Sequence, residues 1–254
     1  MVLLAVRGLT KNFGGLTAVM GLDFDLLDGE ILSMIGPNGA GKTTVFNLIT
    51  GIYPPTAGSI HFDGHDVVGL QPHRITELGV ARTFQTIRLF PNLTASENVM
   101  AGLHCRTRAG VWAALTRPAS QRQEEHYIQR ATEAQLRLMG LYQQRDELAR
   151  NLPYGSQRRL EIARALATQP RLLILDEPAA GLNEQESAEL MASIRHIRSS
   201  GITILLIEHD MAVVMGISDR IVVLDNGEKI AEGTPAEIQN NTRVIEAYLG
   251  REED

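Results

Sequence analysis

Apolar and polar positions change their rhythm several times along this chain. From about Leu3 to His61 they fall into short strand-like runs separated by turn signals at Gly14-Gly15 and Asp28-Gly29. The run Glu30-Ile31-Leu32-Ser33-Met34-Ile35 predicts a strand leading into glycine-rich sequence. Val45, Phe46, Leu48 and Ile49 then fall at helical spacing until Gly51 and Pro54-Pro55 end the helix. The unit is strand, glycine loop, helix. From about Phe84 to Ser156 strand-like runs give way to polar helical patterns, which predicts a helical subdomain inserted into an α/β core. Beyond it, Leu172 to Leu175, Ile202 to Ile207 and Ile221 to Leu224 are continuous apolar runs bounded by turn or polar residues, the first two separated by a helix-patterned segment. Runs of this kind suit parallel strands covered on both faces. No internal repeat or low-complexity tract interrupts the pattern, and the final Arg251-Glu252-Glu253-Asp254 reads as a frayed, solvated end.

Composition narrows the partners. A chain of 254 residues buries one substantial core with a small appended subdomain, so a single functional unit is expected. A formal net charge of -6 and a pI near 5.7 argue against a nucleic-acid backbone as the main partner. The arginines from Arg106 to Arg150 are interrupted by Glu124, Glu125, Glu133, Asp146 and Glu147 and read as a solvated helical face. Cys105 is alone, which excludes an intrachain disulfide and a cysteine metal cluster and reads as a small apolar residue. The N-terminus lacks a signal-type pattern, and no stretch approaches the ~20 apolar residues of a membrane span, so work at a membrane would mean docking onto other subunits.

The lysines are Lys11, Lys42 and Lys229, which makes a lysine inside a glycine-rich loop less incidental. Gly36-Pro37-Asn38-Gly39-Ala40-Gly41-Lys42-Thr43 has the spacing of a loop whose backbone N–H groups wrap a β-phosphate. Its glycines permit close approach, Lys42 neutralises β/γ charge, and Thr43 offers a hydroxyl to Mg²⁺. The helix that follows directs its N-terminal dipole at the anion. A chance match is on the order of one in several hundred before the flanking strand and helix are required. The second element, Leu172-Leu173-Ile174-Leu175-Asp176-Glu177, is a buried strand delivering two carboxylates at its C-terminal end, where α/β sheets place their ligands. Asp176 is expected to hold Mg²⁺ through its water shell, and Glu177 to polarise the attacking water.

Asn151-Leu152-Pro153-Tyr154-Gly155-Ser156-Gln157-Arg158-Arg159 resembles the signature motif of ABC ATPases, usually Leu-Ser-Gly-Gly-Gln at the start of a helix. The resemblance spans essentially the whole chain. It implies an α/β P-loop NTPase with a RecA-like mixed-sheet core and an N-terminal antiparallel β subdomain, covering 1–84 and 157–254. The inserted helical subdomain covers 85–156 and carries the signature segment at its end. By the same resemblance Phe13 stacks on adenine, and Gly36, Pro37, Asn38, Gly39, Ala40, Gly41, Lys42, Thr43 and Thr44 bind the nucleotide. Thr43, Gln85 and Asp176 hold the metal, while Glu177, His209 and Gln85 act in catalysis. Ala179 to Asn183 form a dimer-contacting loop, and Pro153, Tyr154, Gly155, Ser156 and Gln157 face the ATP of a second subunit. Taken singly, Phe13 is a packing aromatic, Gln85 an ordinary polar residue and His209 a strand-end histidine. Their order along the chain decides the reading. His209 is assigned as a γ-phosphate sensor, not as the primary base.

Two departures from the family pattern stand out. Pro153 occupies the position of the signature serine and offers neither hydroxyl nor N–H. The contact is therefore expected to weaken, or to pass to the Gly155 and Ser156 amides and the Ser156 hydroxyl. Asn183 stands where an aspartate is common.

Tyr154-Gly155, Gln157 to Arg164, Asp176 to Asn183, Ile207 to Met211 and the ending Ala247-Tyr248-Leu249-Gly250 further resemble branched-chain amino acid importer ATPases. That implies ATP and Mg²⁺, a head-to-tail pair of identical or related ATPase subunits, and two membrane-spanning permease subunits. A separate substrate-binding protein acts indirectly. The location implied is peripheral, on the cytoplasmic face of the inner membrane. Urea-importer and lipopolysaccharide-export ATPases share much of the pattern and stand as alternatives for the cargo, as does a non-transport ABC ATPase.

Overall fold

The computed structural model describes residues 1–103 and 119–249. Cys105, the N-terminal part of the arginine-rich segment and residues 250–254 lie outside the described residues.

The N-terminal third forms two long strands in place of the expected short ones, β1 (Val2–Phe13) and β2 (Leu16–Leu27), joined at Gly14-Gly15. Repeated register shifts between them mark bulges, so the apolar alternation breaks in sequence while the ladder continues. With β4 (Ala57–Phe62) and β5 (His65–Asp66) they make an antiparallel sheet ordered β2-β1-β4-β5. The second sheet is ordered β10-β9-β3-β8-β7-β6, comprising β3 (Ile31–Ile35), β6 (Val80–Arg82), β7 (Leu172–Asp176), β8 (Thr203–Ile207), β9 (Arg220–Asp225) and β10 (Glu228–Gly233). Its strands pair in parallel except β10, which runs antiparallel along β9.

The continuous apolar runs follow from burial on both faces. In β7, Leu172 and Ile174 point into the core around α1 (Lys42–Ile49) and the antiparallel sheet, while Leu173 and Leu175 point into the opposite core. In β8, Leu205 and Ile207 take the first side and Ile204 and Leu206 the second. Side chains alternate with period two, so a strand with cores on both sides has no polar face.

The second core is roofed by helices. After α2 (Pro72–Leu78) come α3 (Ala95–Leu103), α4 (Ala119–Leu138), α5 (Tyr154–Ala167) and α6 (Glu184–Ser199). Leu136 and Met139 are buried at the end of α4 while Arg130 and Arg137 are exposed, giving that part of the arginine-rich segment a solvated face. The expected division at 156/157 falls inside α5, which runs unbroken from the helical segment onto the sheet core and packs on α3. Short helices α7 (Met211–Ile217), α8 (Pro235–Gln239) and α9 (Thr242–Leu249) form a third cluster with Ile35, Ile221 and Val223.

The α3–α5 crossing depends on one glycine. A Cβ on Gly102 would collide with the Arg164 carbonyl oxygen and touch Ala167 Cβ at 3.1 Å. Gly102→Ala sets overpacking of about 1–3 kcal/mol against the ~1 kcal/mol gained in helix propensity. Because the clash is with a backbone carbonyl, the cost lies toward the upper end of that range and leaves a net loss of up to about 2 kcal/mol, read as a lower urea midpoint; an unchanged midpoint would mean the two helices can separate without loss.

Candidate nucleotide site

β3 ends at Ile35, and the chain enters the glycine loop at Gly36 with φ 151°. A side chain there would run into the Leu224 carbonyl oxygen of neighbouring β9, so this position requires glycine. Gly39 (φ 83°) and Gly41 (φ 99°) continue the turn, and Gly41 caps α1. Lys42 is buried and donates from Nζ to the Gly36 carbonyl at 2.6 Å and the Pro37 carbonyl at 3.0 Å, so its ammonium lies across the loop it belongs to.

A cavity of about 460 Å³ is lined by Phe13, Leu16 to Ala18, Asn38 to Thr44, Gln85 and Glu177. It unites one aromatic, the phosphate loop and a carboxylate whose residues lie far apart in sequence. A second cavity, about 690 Å³, shares Thr43 and Gln85 with the first and adds Asp176, Arg82 and Tyr53. Phe13 stands half-exposed, edge-on to Tyr53 with centroids 5.4 Å apart, and Lys11 Nζ lies 5.0 Å from the Phe13 centroid. A flat apolar wall beside a cation suits a purine base.

β7 delivers the two acids differently. Asp176 is buried and paired with Arg82 at 2.8 Å. The following residue, Glu177, adopts φ 48°, a region that non-glycine residues rarely occupy, and its amide donates to the Ile207 carbonyl of β8 at 2.9 Å. That turn swings Glu177 into the cavity, where its Oε2 accepts from Gln85 Nε2 at 2.9 Å. His209 Nδ1 lies 3.8 Å from the same oxygen, with the imidazole 64% exposed.

Mg²⁺ fits the hard oxygen donors here: the Thr43 hydroxyl, the Gln85 amide oxygen and the Asp176 carboxylate. Among the described residues no cluster of three or more His, Cys, Asp or Glu could hold a metal. A protein offering one carboxylate leaves the remaining positions to phosphate and water, as suits Mg²⁺.

The signature segment lies elsewhere. None of Pro153 to Gln157 lines either cavity. Pro153 caps α5 without a side-chain hydrogen bond, and its carbonyl accepts from the Gln157 amide at 2.9 Å. Pro153 and Tyr154 are exposed, while Gly155 is backed against Glu186 and Ser156 is only 4% exposed. The Ser156 hydroxyl faces Arg159 Nη2 at 3.4 Å, so the expectation that it replaces the missing serine meets a buried group. Asn183 performs a local task as well: its side chain accepts from the Glu186 amide in a capping box that starts α6.

Several participants had no clear sequence signal. Arg82 sits on a three-residue strand, too short to read by periodicity. Glu208 looked like one more acid beside His209, yet it is buried. Its Oε1 accepts the Ala179 amide at 2.8 Å, and burial pushes its carboxyl up despite that bond. Arg158 and Glu161, which enter the sequence reading only as members of the signature-like and importer-like segments, are both buried. The available signal was spacing: Arg158 falls with Gly155, Ile162 and Ala165 on one face of α5.

Lys42→Ala should weaken both nucleotide binding and turnover, measured by calorimetric titration and phosphate release; unchanged affinity would remove the loop from phosphate binding. Pro153→Ser supplies a hydroxyl for the first-turn amides and should stabilise α5 by about 0.5–2 kcal/mol. If that hydroxyl also reaches a partner's nucleotide, ATPase activity rises. A gain in melting temperature without a gain in rate would confine the effect to capping.

The ABC transporter family model matches residues 19–180, and a model for branched-chain amino acid ATP-binding cassette transporters matches 228–254. The chain is 50% identical over 250 residues to the high-affinity branched-chain amino acid transport ATP-binding protein LivG of Salmonella typhimurium, covering 98% of each. It is similar to the crystal structure of the ADP conformation of an ABC transporter ATP-binding cassette, with TM-score 0.86, 30% identity and coverage of 99% and 100%. A dimeric bacterial ABC transporter cassette aligns with TM-score 0.77 at 27% identity, covering 91% of this chain and 98% of that one. With a glycine loop, two strand-end carboxylates and this likeness along nearly its full length, the chain belongs to the ATP-binding proteins of ABC transporters.

Proposed function

We propose that this chain binds and hydrolyses ATP to energise the import of branched-chain amino acids by a bacterial ABC transporter. The observation that carries the hydrolytic part is the Glu177 carboxylate, aimed by a left-handed turn at the cavity walled by the phosphate loop and held there by Gln85. The amino acid cargo rests on the C-terminal match at 228–254 and on the naming of the 50% identical relative. No residue at the site reads an amino acid, so the cargo is an inference from kinship.

In this reading Lys42 and the loop amides neutralise the β- and γ-phosphates, and Phe13 stacks on adenine. When bound, Mg²⁺ supplies charge neutralisation of the phosphates, with Thr43, Gln85 and Asp176 as its protein-side holders. Glu177 accepts the proton of the attacking water, and His209 donates a hydrogen bond that senses the γ-phosphate. Pro153 and Tyr154, exposed and away from both cavities, are offered to the nucleotide of a second cassette in a head-to-tail dimer.

No described helix is long and apolar enough to cross a membrane, so two permease subunits are the expected route to it, on the cytoplasmic face. A groove of about 880 Å³ lined by Phe84, Arg88, Leu89, Phe90 and Arg164 supports docking of a short permease helix beside Gln85.

Glu177→Gln should keep Mg·ATP binding and lower turnover by about 10²–10⁴; a rate near wild type would take Glu177 out of its role. A strain lacking the chain should lose leucine, isoleucine and valine uptake. Intact uptake with a defect in urea or lipopolysaccharide transport would reassign the cargo.

A further inference from the structure

Arg158 is a fully buried side chain, 0% exposed, one turn after the exposed Tyr154 that begins α5. Its guanidinium reaches the segment after β6. Nη1 donates to the Phe84 carbonyl at 2.8 Å and Nη2 to the Gln85 carbonyl at 2.8 Å. Glu161, one turn along α5, pairs with Nη1 at 3.1 Å through one oxygen and accepts the Arg88 amide at 3.1 Å through the other. The pair therefore holds three backbone groups, at 84, 85 and 88. A Gln85 side chain anchored this way meets Glu177 at 2.9 Å. At the other end, Arg158 Nη2 donates to the Tyr154 hydroxyl at 3.3 Å, and Tyr154 is exposed on the segment offered to a second cassette.

Stability does not account for these residues. A buried ion pair recovers its desolvation cost only with every polar atom satisfied, and apolar replacements are often neutral or better. Here the Arg158 Nε has no hydrogen-bond partner. What an apolar pair could not do is fix the loop carbonyls in space: five donors in a rigid fork define the height and direction of the backbone they bind. Small displacements at a reacting site are expensive in rate, so a device that fixes Gln85 has a kinetic consequence.

We propose that Arg158 and Glu161 are positioning residues that hold the 84–88 backbone so that Gln85 meets Glu177, and that they join the Tyr154 end of α5 to the hydrolytic carboxylate of the same chain. The connection is continuous in hydrogen bonds: Tyr154 hydroxyl, Arg158 guanidinium, Gln85 backbone, Gln85 amide, Glu177 carboxylate. A cassette approaching Tyr154 thereby acts on the neighbouring site's geometry without touching its nucleotide.

The proposal rests on the hydrolysis reading, and the experiment separates the two. Full-length wild type, Arg158→Lys, Glu161→Gln and the double variant Arg158→Met with Glu161→Gln are compared for melting temperature, ADP affinity by calorimetry, and kcat and KM for ATP. Glutamine keeps the acceptor for the Arg88 amide while removing the charge that methionine would leave unpaired. The double variant should melt near wild type, bind ADP with unchanged affinity and lose about 10- to 10²-fold in kcat, with Arg158→Lys recovering part of the loss. Wild-type kcat in a folded double variant overturns the proposal, as does a kcat loss matched by an equal loss in ADP affinity. If the double variant does not fold, Glu161→Gln alone decides: a several-fold lower kcat at unchanged ADP affinity supports the positioning role, and an unchanged kcat overturns it. A wild type that binds ADP but releases no phosphate removes the hydrolysis reading on which the proposal stands.

Discussion

The lateral register of β3, β8 and β7 is the constraint on which the site depends. Met34 pairs with Ile207, and Ile207 pairs with Asp176, so the three strands end at one height. The residues that follow are Gly36 after Ile35, Glu208 and His209, and Glu177. Parallel strands covered on both faces cannot slip by one residue without moving every side chain to the wrong core. The hydrophobic packing of two opposed cores thus fixes the spacing between the glycine loop, His209 and Glu177, the groups proposed as phosphate binder, sensor and base. Two exacting backbone positions lie at that edge: Gly36 sits where no side chain fits, and Glu177 takes a left-handed turn that the Ile207 carbonyl holds in place.

A second layer of buried charge links this edge to the rest of the molecule. Arg82 holds Asp176, and also Asn47 of α1 at 2.7 Å, between the rings of Phe46 and Phe84. Glu208 holds the Ala179 amide beside the His209 backbone, tying the sensor to the loop that leads to Asn183. Arg158 holds the Phe84 and Gln85 carbonyls, and Glu161 holds the Arg88 amide. Each connects a segment at the candidate site to another element distant in sequence. Such pairs contribute little net stability after desolvation and much geometric definition. Glu177 itself is only partly buried, as its proposed exchange of a proton with water requires, and its positioning is left to neighbours.

The sheet core and the chemistry-bearing loops were legible because they obey local rules. The glycine spacing from Gly36 to Gly41, the apolar run ending in Asp176-Glu177, and the double-sided burial of β7 and β8 all follow from backbone geometry and period-two packing. The long bulged strands β1 and β2 were read as short ones because register shifts hide alternation. Position 156/157 lies within α5, whose apolar residues from Leu160 to Ala167 all pack into the helix-roofed core. Arg82, Arg158, Glu161 and Glu208 were missed for a shared reason. A charged residue in sequence signals solvent, and only tertiary packing reveals that its partner is a backbone carbonyl or amide from a distant segment. The backing of Gly155 by Glu186 has the same cause, since Glu186 comes from another helix.

The central claim is that Glu177 directs a water molecule onto the γ-phosphorus of ATP held by the Gly36 to Thr43 loop. Single-turnover hydrolysis in ¹⁸O-enriched water, by the full-length chain assembled with its membrane partners, tests it at the bond that breaks. The account predicts that the label enters the released inorganic phosphate and is absent from ADP. Label in ADP, or ATP consumption with no labelled phosphate, would contradict it.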